Sequence, residues 1–291
     1  MVLCITMAAV VPERIQSGCI DSQAILGEDG TYQIDIDPRL ASGDTSIPYT
    51  QPVIRDVGTS FSLEGFSSPR HPVVVGHGNL DSIPVGTRLE SLPIKFPGTG
   101  YRVPNELACV RSLLELCATY EARINPSVDE YFAYLSLERT EVNAGQHQRA
   151  SEIHSDDIQG PRINPKVPVA HGYVMVDRDP TLFFPDPVDV TGVDVDVHNM
   201  AAVFDQRVNR SHVVTHAVGT VALIDGYTLH QGCAATATGP RGFFRLMYST
   251  RHYDRSGNSV NTSFEQEYRQ VGWEFAPRPR PPLLAPPVAK T

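Results

Sequence analysis

The sequence predicts a mainly β protein in which helices flank a jelly-roll core. Three observations point there. A single clear helical stretch precedes a run of short strand-like segments. The 24 prolines and 22 glycines are scattered, so they cut the chain into short pieces. The regular strand–helix alternation of a parallel βαβ sheet is missing from the pattern.

The elements follow in order. Residues 32–36, 72–75 and 92–96 are short β-like runs between Gly, Ser, Asp and Pro turns. After Pro104-Asn105, the residues Leu107, Val110, Leu114 and Cys117 recur at helical spacing up to Arg123. Asn125-Pro126 stops that helix, because proline disfavours helical backbone in the residue before it. Residues 131–140 are aromatic and β-branched enough for a strand, and 171–176, 181–184, 213–215, 220–224 and 242–250 continue the set. Turns such as Asp225-Gly226 and Thr238-Gly239-Pro240 separate them. This order suits helices packed outside a double-sheet jelly roll. We expect one domain over 1–291: an N-terminal α/β extension at 1–125, a jelly-roll core at 126–255, and a Pro-rich, polyproline-like tail at 276–291.

Composition narrows the function. The 291 residues are 41% hydrophobic and 20% charged, enough apolar content for a packed core. A formal net charge of −9 argues against a nucleic-acid partner, which calls for a basic face, and against an anionic membrane surface. Cys4, Cys19, Cys109, Cys117 and Cys233 have no paired or metal-type spacing, as in a reducing compartment. Residues 1–11 are apolar without a basic lead or a long apolar run, so neither a signal peptide nor a membrane span is expected. The expectation is a soluble, cytoplasmic monomer or homodimer.

The chemistry concentrates in His154-Ser155-Asp156, His230, Arg241 and Arg245. An imidazole and a carboxylate two residues apart on a strand share a face and suit one divalent ion. A His-x-Asp tripeptide alone is also what an ordinary polar loop contains, and Asp196-Val-His198 is a rival pair. His230 follows His154 by 76 positions (230 − 154), just after the apolar run 220–224. Arg241 and Arg245 follow His230 by 11 and 15 (241 − 230 and 245 − 230) in Arg241-Gly-Phe-Phe-Arg245. Positions four apart on a strand face the same way, so both guanidinium groups and Phe243 can enter one pocket while Phe244 and Leu246 point away. A planar guanidinium grips a carboxylate through two parallel hydrogen bonds, as lysine cannot.

Over residues 131–249 this pattern resembles the iron(II)- and 2-oxoglutarate-dependent oxygenase superfamily. The resemblance implies a double-stranded β-helix core. It implies Fe(II) held by His154, Asp156 and His230, with 2-oxoglutarate as co-substrate. Arg241 matches the arginine that holds the far carboxylate of 2-oxoglutarate. Arg245 matches a second arginine that meets substrate or assists with the co-substrate, and which of the two is the main anchor stays open. Thr181 matches a threonine that some members use on the co-substrate. The reaction implied is O2-dependent hydroxylation, desaturation or cyclisation of a small molecule, with release of succinate and CO2. Asp156 speaks against halogenation, since related halogenases lack that carboxylate.

Other residues are candidates for substrate contact: Arg149, Gln159, Lys166 and Tyr173, each of which could equally be loop polarity or core. The acidic run from Asp186 to Asp196, as a lid, would favour a cationic substrate in a biosynthetic tailoring role. Two alternatives remain. A cupin-like barrel could use the same ligands for metal-dependent hydrolysis or isomerisation. A non-catalytic β-sandwich would carry these residues incidentally.

Overall fold

A computed structural model describes residues 30–34, 36, 61–156, 170–195, 197–253, 255 and 257–271. The strands are β1 (Thr31–Tyr32), β2 (Val73–His77), β3 (Thr87–Lys95), β4 (Val103–Pro104), β5 (Phe132–Val142), β6 (His171–Val176), β7 (Leu182–Phe183), β8 (Thr220–Asp225), β9 (His230–Gln231) and β10 (Gly239–Ser249). The helices are α1 (Arg111–Ile124), α2 (Met200–Arg207) and α3 (Glu265–Gln270).

The large sheet has the order β2-β8-β6-β10-β5-β3, with every pairing antiparallel. The small sheet is built on the β7–β9 pair. A bridge between His154 and His230 extends it on one side, and a bridge between Phe183 and Val214 on the other. From β5 onward the chain shuttles between the sheets: β5 in the large one, His154 in the small one, β6 back in the large one. Then β7 and Val214 lie in the small sheet, β8 in the large, β9 in the small and β10 in the large. That alternation is the double-stranded β-helix, a jelly-roll form.

Strand periodicity sorts the side chains. Leu135 and Leu137 of β5, Tyr173 and Met175 of β6, Val221 and Leu223 of β8, and Phe244 and Leu246 of β10 all join one core cluster. Leu113, Leu114, Cys117 and Ala118 of α1 cover that face. The alternate positions Val174, Ala222 and Ile224 pack with Phe183 between the two sheets. A third cluster seats α2 behind the small sheet through Phe66, Phe184, Met200, Phe204 and Leu229. The N-terminal third adds β2 and β3 to opposite edges of the large sheet, so it widens the sheet as well as covering it.

Several expectations need correction. The expected strand at 32–36 is only Thr31–Tyr32, and 181–184 shortens to Leu182–Phe183. Residues 213–215 give an isolated bridge, because Val214 meets a single partner at the sheet edge. The helix after Pro104 begins as a 3-10 turn, Asn105–Val110, and becomes α-helical at Arg111, with no side-chain cap marking the change. α2 and α3 carried too weak a periodicity to be anticipated. The Pro-rich tail, Gln159 and Lys166 lie outside the described residues.

Candidate metal centre and its pocket

Backbone pairing brings the histidines together. His154 N–H donates to the His230 carbonyl at 3.0 Å, and His230 N–H donates back to His154 at 2.8 Å. Asp225 shapes the turn that delivers β9: its Oδ1 accepts from Tyr227 N–H at 3.0 Å and from the Thr228 hydroxyl at 2.8 Å. Its Oδ2 meets Arg70 at 3.3 Å, with both side chains buried. Ligand atoms of His154, Asp156 and His230 all lie within 4.8 Å of one another.

The imidazoles are oriented for coordination. His154 Nδ1 lies 2.8 Å from the Glu152 carbonyl, and His230 Nδ1 lies 2.9 Å from the Thr228 carbonyl. A carbonyl only accepts, so each Nδ1 carries a proton, and Nε2 is the nitrogen left to offer a lone pair to a metal. Burial alone would raise the Asp156 carboxyl. The positive charge of Arg245, aided by His230, His154 and Arg149, overrides it and holds the group down at about 2. Burial and the neighbouring His154 push His230 down to about 4. At neutral pH the site therefore presents one carboxylate and a neutral His230 ring, the forms that bind a cation. Asp156 Oδ1 accepts from Arg245 at 2.9 Å, while Oδ2 is buried without a hydrogen-bond partner. A buried carboxylate oxygen left bare is costly, and a cation held with the two Nε2 atoms would satisfy it. The residues fit a metal ion.

A cavity of about 320 Å³ opens beside this group. Its walls include Thr181, Val174, Phe243 and four arginines: Arg88, Arg149, Arg241 and Arg245. Arg241 is 2% exposed. Its guanidinium donates to the Arg178 carbonyl at 3.0 Å, the Asp179 carbonyl at 2.9 Å and Gln148 Oε1 at 2.7 Å. Each of these acceptors is neutral; the nearby carboxylates of Asp179 and Asp177 act on the charge without a hydrogen bond to it among the described residues. Such a cation in a cavity wall is a seat for an anion. Asp179 makes the cradle, at a positive φ of 50°, with Oδ1 held by Thr236 N–H at 3.0 Å and its hydroxyl at 2.8 Å. Gly242 lets the strand sit against Asp177: a Cβ there would come within 2.6 Å of Asp177 Oδ2 and 2.7 Å of Leu80 Cδ1.

Arg245 is committed differently. Besides Asp156 it meets Glu90 at 3.2 Å. Arg149 lies over the Phe243 ring at 4.6 Å and pairs with Glu90 at 3.0 Å and Glu138 at 3.4 Å.

Of the residues singled out in the sequence, His154, Asp156, His230, Arg241, Arg245, Thr181 and Arg149 converge on one cavity. Tyr173 does not. It is buried in the core between β6 and α1, and its hydroxyl donates to Glu121 at 2.8 Å, because position 173 has the opposite strand parity to the pocket-lining Val174. His198 is tied to Asp194 on the surface and stands apart from the centre. The acidic run supplies no cavity wall among its described residues. Asp186 instead holds His212 at 2.7 Å and Asn209 at 2.7 Å, and the described wall of the cavity carries arginines. Sequence reasoning missed Gln148, Arg88, Glu90 and Glu138. Gln148 adjoins Arg149, already in view, but nothing in the local pattern tied it to an arginine 93 positions away.

No family model matches the chain, and no curated protein does. Among solved structures it is similar to EvdMO1, at 15% identity and TM-score 0.30, over 48% of this chain and 32% of that one. The chain thus spans about a third of the length of that relative. It is also similar to EvdO2 from Micromonospora carbonacea var. aurantiaca complexed with 2-oxoglutarate, at 13% identity and TM-score 0.32, over 52% and 67% of the two chains. A third is an oxidoreductase of the 2OG-Fe(II) oxygenase family from Burkholderia pseudomallei, at 14% identity and TM-score 0.31, over 65% and 78%. Overlaps this partial carry no functional weight; the strand order and the side chains of the site must.

Proposed function

We propose that this chain is an Fe(II)- and 2-oxoglutarate-dependent oxygenase acting on a small molecule. The observation that carries the reading is a pairing within one cavity. A His/Asp/His ligand set lies beside Arg241, a buried cation whose hydrogen-bond partners are all neutral. Two imidazoles and one carboxylate form the donor set of a facial triad, which leaves positions open for other ligands. With Fe(II) bound, the group supplies O2-dependent oxidation: 2-oxoglutarate loses CO2 to become succinate, one oxygen atom enters succinate, and the other enters the substrate.

The chain's own residues do the rest. His154 and His230 present Nε2, with the Nδ1 contacts fixing ring orientation. Arg241 holds the far carboxylate of the co-substrate, and Thr181 lines the same cavity. Three of its five N–H donors are used by Arg178, Asp179 and Gln148, which leaves two for a bidentate grip. Arg245 already serves Asp156 and Glu90, which supports Arg241 as the anchor. Phe243 and Arg149 wall the substrate side, and the arginines there disfavour a cationic substrate. Small molecules bearing carboxylate, phosphate or neutral hydroxyl groups are the class to test.

The test is a substrate screen that follows succinate release, run beside Asp156→Ala. The reading predicts Fe(II)-dependent succinate with the wild type and none with the variant. Equal succinate from both would overturn it.

A further inference from the structure

Glu90 lies on β3, outside the strands that carry the metal ligands. It nevertheless stands one ion pair from them. Arg245 bridges Asp156 Oδ1 at 2.9 Å and Glu90 Oε1 at 3.2 Å. We infer that Glu90 is a positioning residue for the metal centre, acting through Arg245 to set the direction and the basicity of the Asp156 carboxylate. The inference rests on the metal reading above.

The backbone of β3 is shaped to aim Glu90. Leu89 pairs with Leu137 and Leu92 with Leu135, so three steps along β3 face two along β5. This is a β-bulge with one extra residue, a device that re-aims a side chain beside a site. Ser91 at the bulge has φ 47°, a left-handed conformation that costs a non-glycine residue energy and persists only where its surroundings impose it. Its N–H donates to Ser136 Oγ at 3.1 Å, and Ser136 Oγ donates to Glu90 Oε1 at 3.3 Å. From the other side, Glu90 N–H donates to Ser259 Oγ at 3.0 Å, and its carbonyl accepts from Ser259 N–H at 2.7 Å. Leu89 and Leu92 both stay in the apolar core, so the extra residue is absorbed without exposing either.

The electrostatics run the same way. An arginine on Asp156 draws electron density from the one anionic ligand and adds positive charge near a cation. Glu90 offsets that charge and fixes the guanidinium on Asp156 Oδ1, which would leave Oδ2, buried without a hydrogen-bond partner, for the metal. Arg149, shared between Glu90 and Glu138, braces Glu90 in turn. Partners beyond the direct ligands are typically worth about 10- to 100-fold in metal affinity.

The experiment is a Co(II) titration of apoprotein, read by the visible absorption of the bound ion and by calorimetry. It compares wild type, Glu90→Ala, Glu90→Gln, Arg245→Ala, the Glu90→Ala/Arg245→Ala double variant and Asp156→Ala, with melting temperature as a folding control. We expect Glu90→Ala to weaken Co(II) binding about tenfold, Glu90→Gln to weaken it less, and Glu90→Ala to change binding under about twofold once Arg245 is gone. Glu90→Gln keeps the side-chain shape, so it decides the matter if the alanine variant fails to fold: wild-type affinity there overturns the inference. Equal losses from Glu90→Ala with and without Arg245 also overturn it. If Asp156→Ala binds Co(II) like the wild type, the metal reading itself is wrong and the inference falls with it.

Discussion

His154 and His230 exchange both backbone hydrogen bonds, at 3.0 and 2.8 Å, although they lie 76 positions apart. Their rings sit 4.5 Å apart, centroid to centroid. The proposed metal centre would thus be a by-product of strand pairing: the small sheet closes by joining these two residues, and the side chains follow. Replacing either ring leaves this backbone bridge available. His230→Ala should therefore fold, yet lose more metal affinity than the roughly 10- to 100-fold typical of an outer partner. Metal titration of the folded variant measures this.

Arg241→Lys should raise the KM for 2-oxoglutarate by about 10- to 100-fold, with a smaller effect on kcat. A lysine offers one point charge in place of a fork, and a charge-assisted hydrogen bond is worth about 1.5–3 kcal/mol. The carbonyls of Arg178 and Asp179 and the Gln148 amide would lose their donors as well. Steady-state kinetics at saturating substrate provide the measurement.

How much of this was legible in the sequence follows from the range of each signal. The arginine strand was readable because parity is a local property: Arg241, Phe243 and Arg245 share a face and enter the cavity, while Phe244 and Leu246 enter the core. The same rule places Tyr173 in the core, since Val174 beside it lines the cavity. Glu90 was not readable. Its side chain is aimed by a one-residue bulge whose partner strand lies more than forty positions away, and no alternation pattern reports such an event. In the acidic run, Asp186 is engaged locally by His212 and Asn209 and Asp189 by Thr191, contacts that charge patterning alone does not report.

Acid should loosen the cradle of Arg241. Burial favours the neutral form of Asp179, but Thr236 and Arg178 together hold its carboxyl below the ordinary range. A group depressed in the folded state binds fewer protons there than when unfolded. Its contribution is therefore present above the unfolded value and is lost as pH falls through the folded one. Stability should drop as pH falls below about 4, and Asp179→Asn should flatten that acid limb. Thermal melts across pH 2.5–6 of wild type and variant give the comparison, on the scale set by ordinary carboxylates.

Asp225→Ala should be among the more destabilising single changes in the turn before β9. It removes the carboxylate that faces buried Arg70 and releases Tyr227 N–H and the Thr228 hydroxyl. Breaking a buried pair from one side costs about 3–5 kcal/mol. Urea unfolding monitored by circular dichroism should show that loss at an unchanged m-value.

The central claim is that metal and 2-oxoglutarate share one cavity, through His154, Asp156 and His230 on one side and Arg241 on the other. Anaerobic addition of Fe(II) and then 2-oxoglutarate to the apoprotein tests it most directly. The account predicts a weak visible charge-transfer band that needs both additions, fades in His230→Ala, and demands far more 2-oxoglutarate in Arg241→Lys. An iron-loaded wild-type protein that develops no band at saturating 2-oxoglutarate would contradict it.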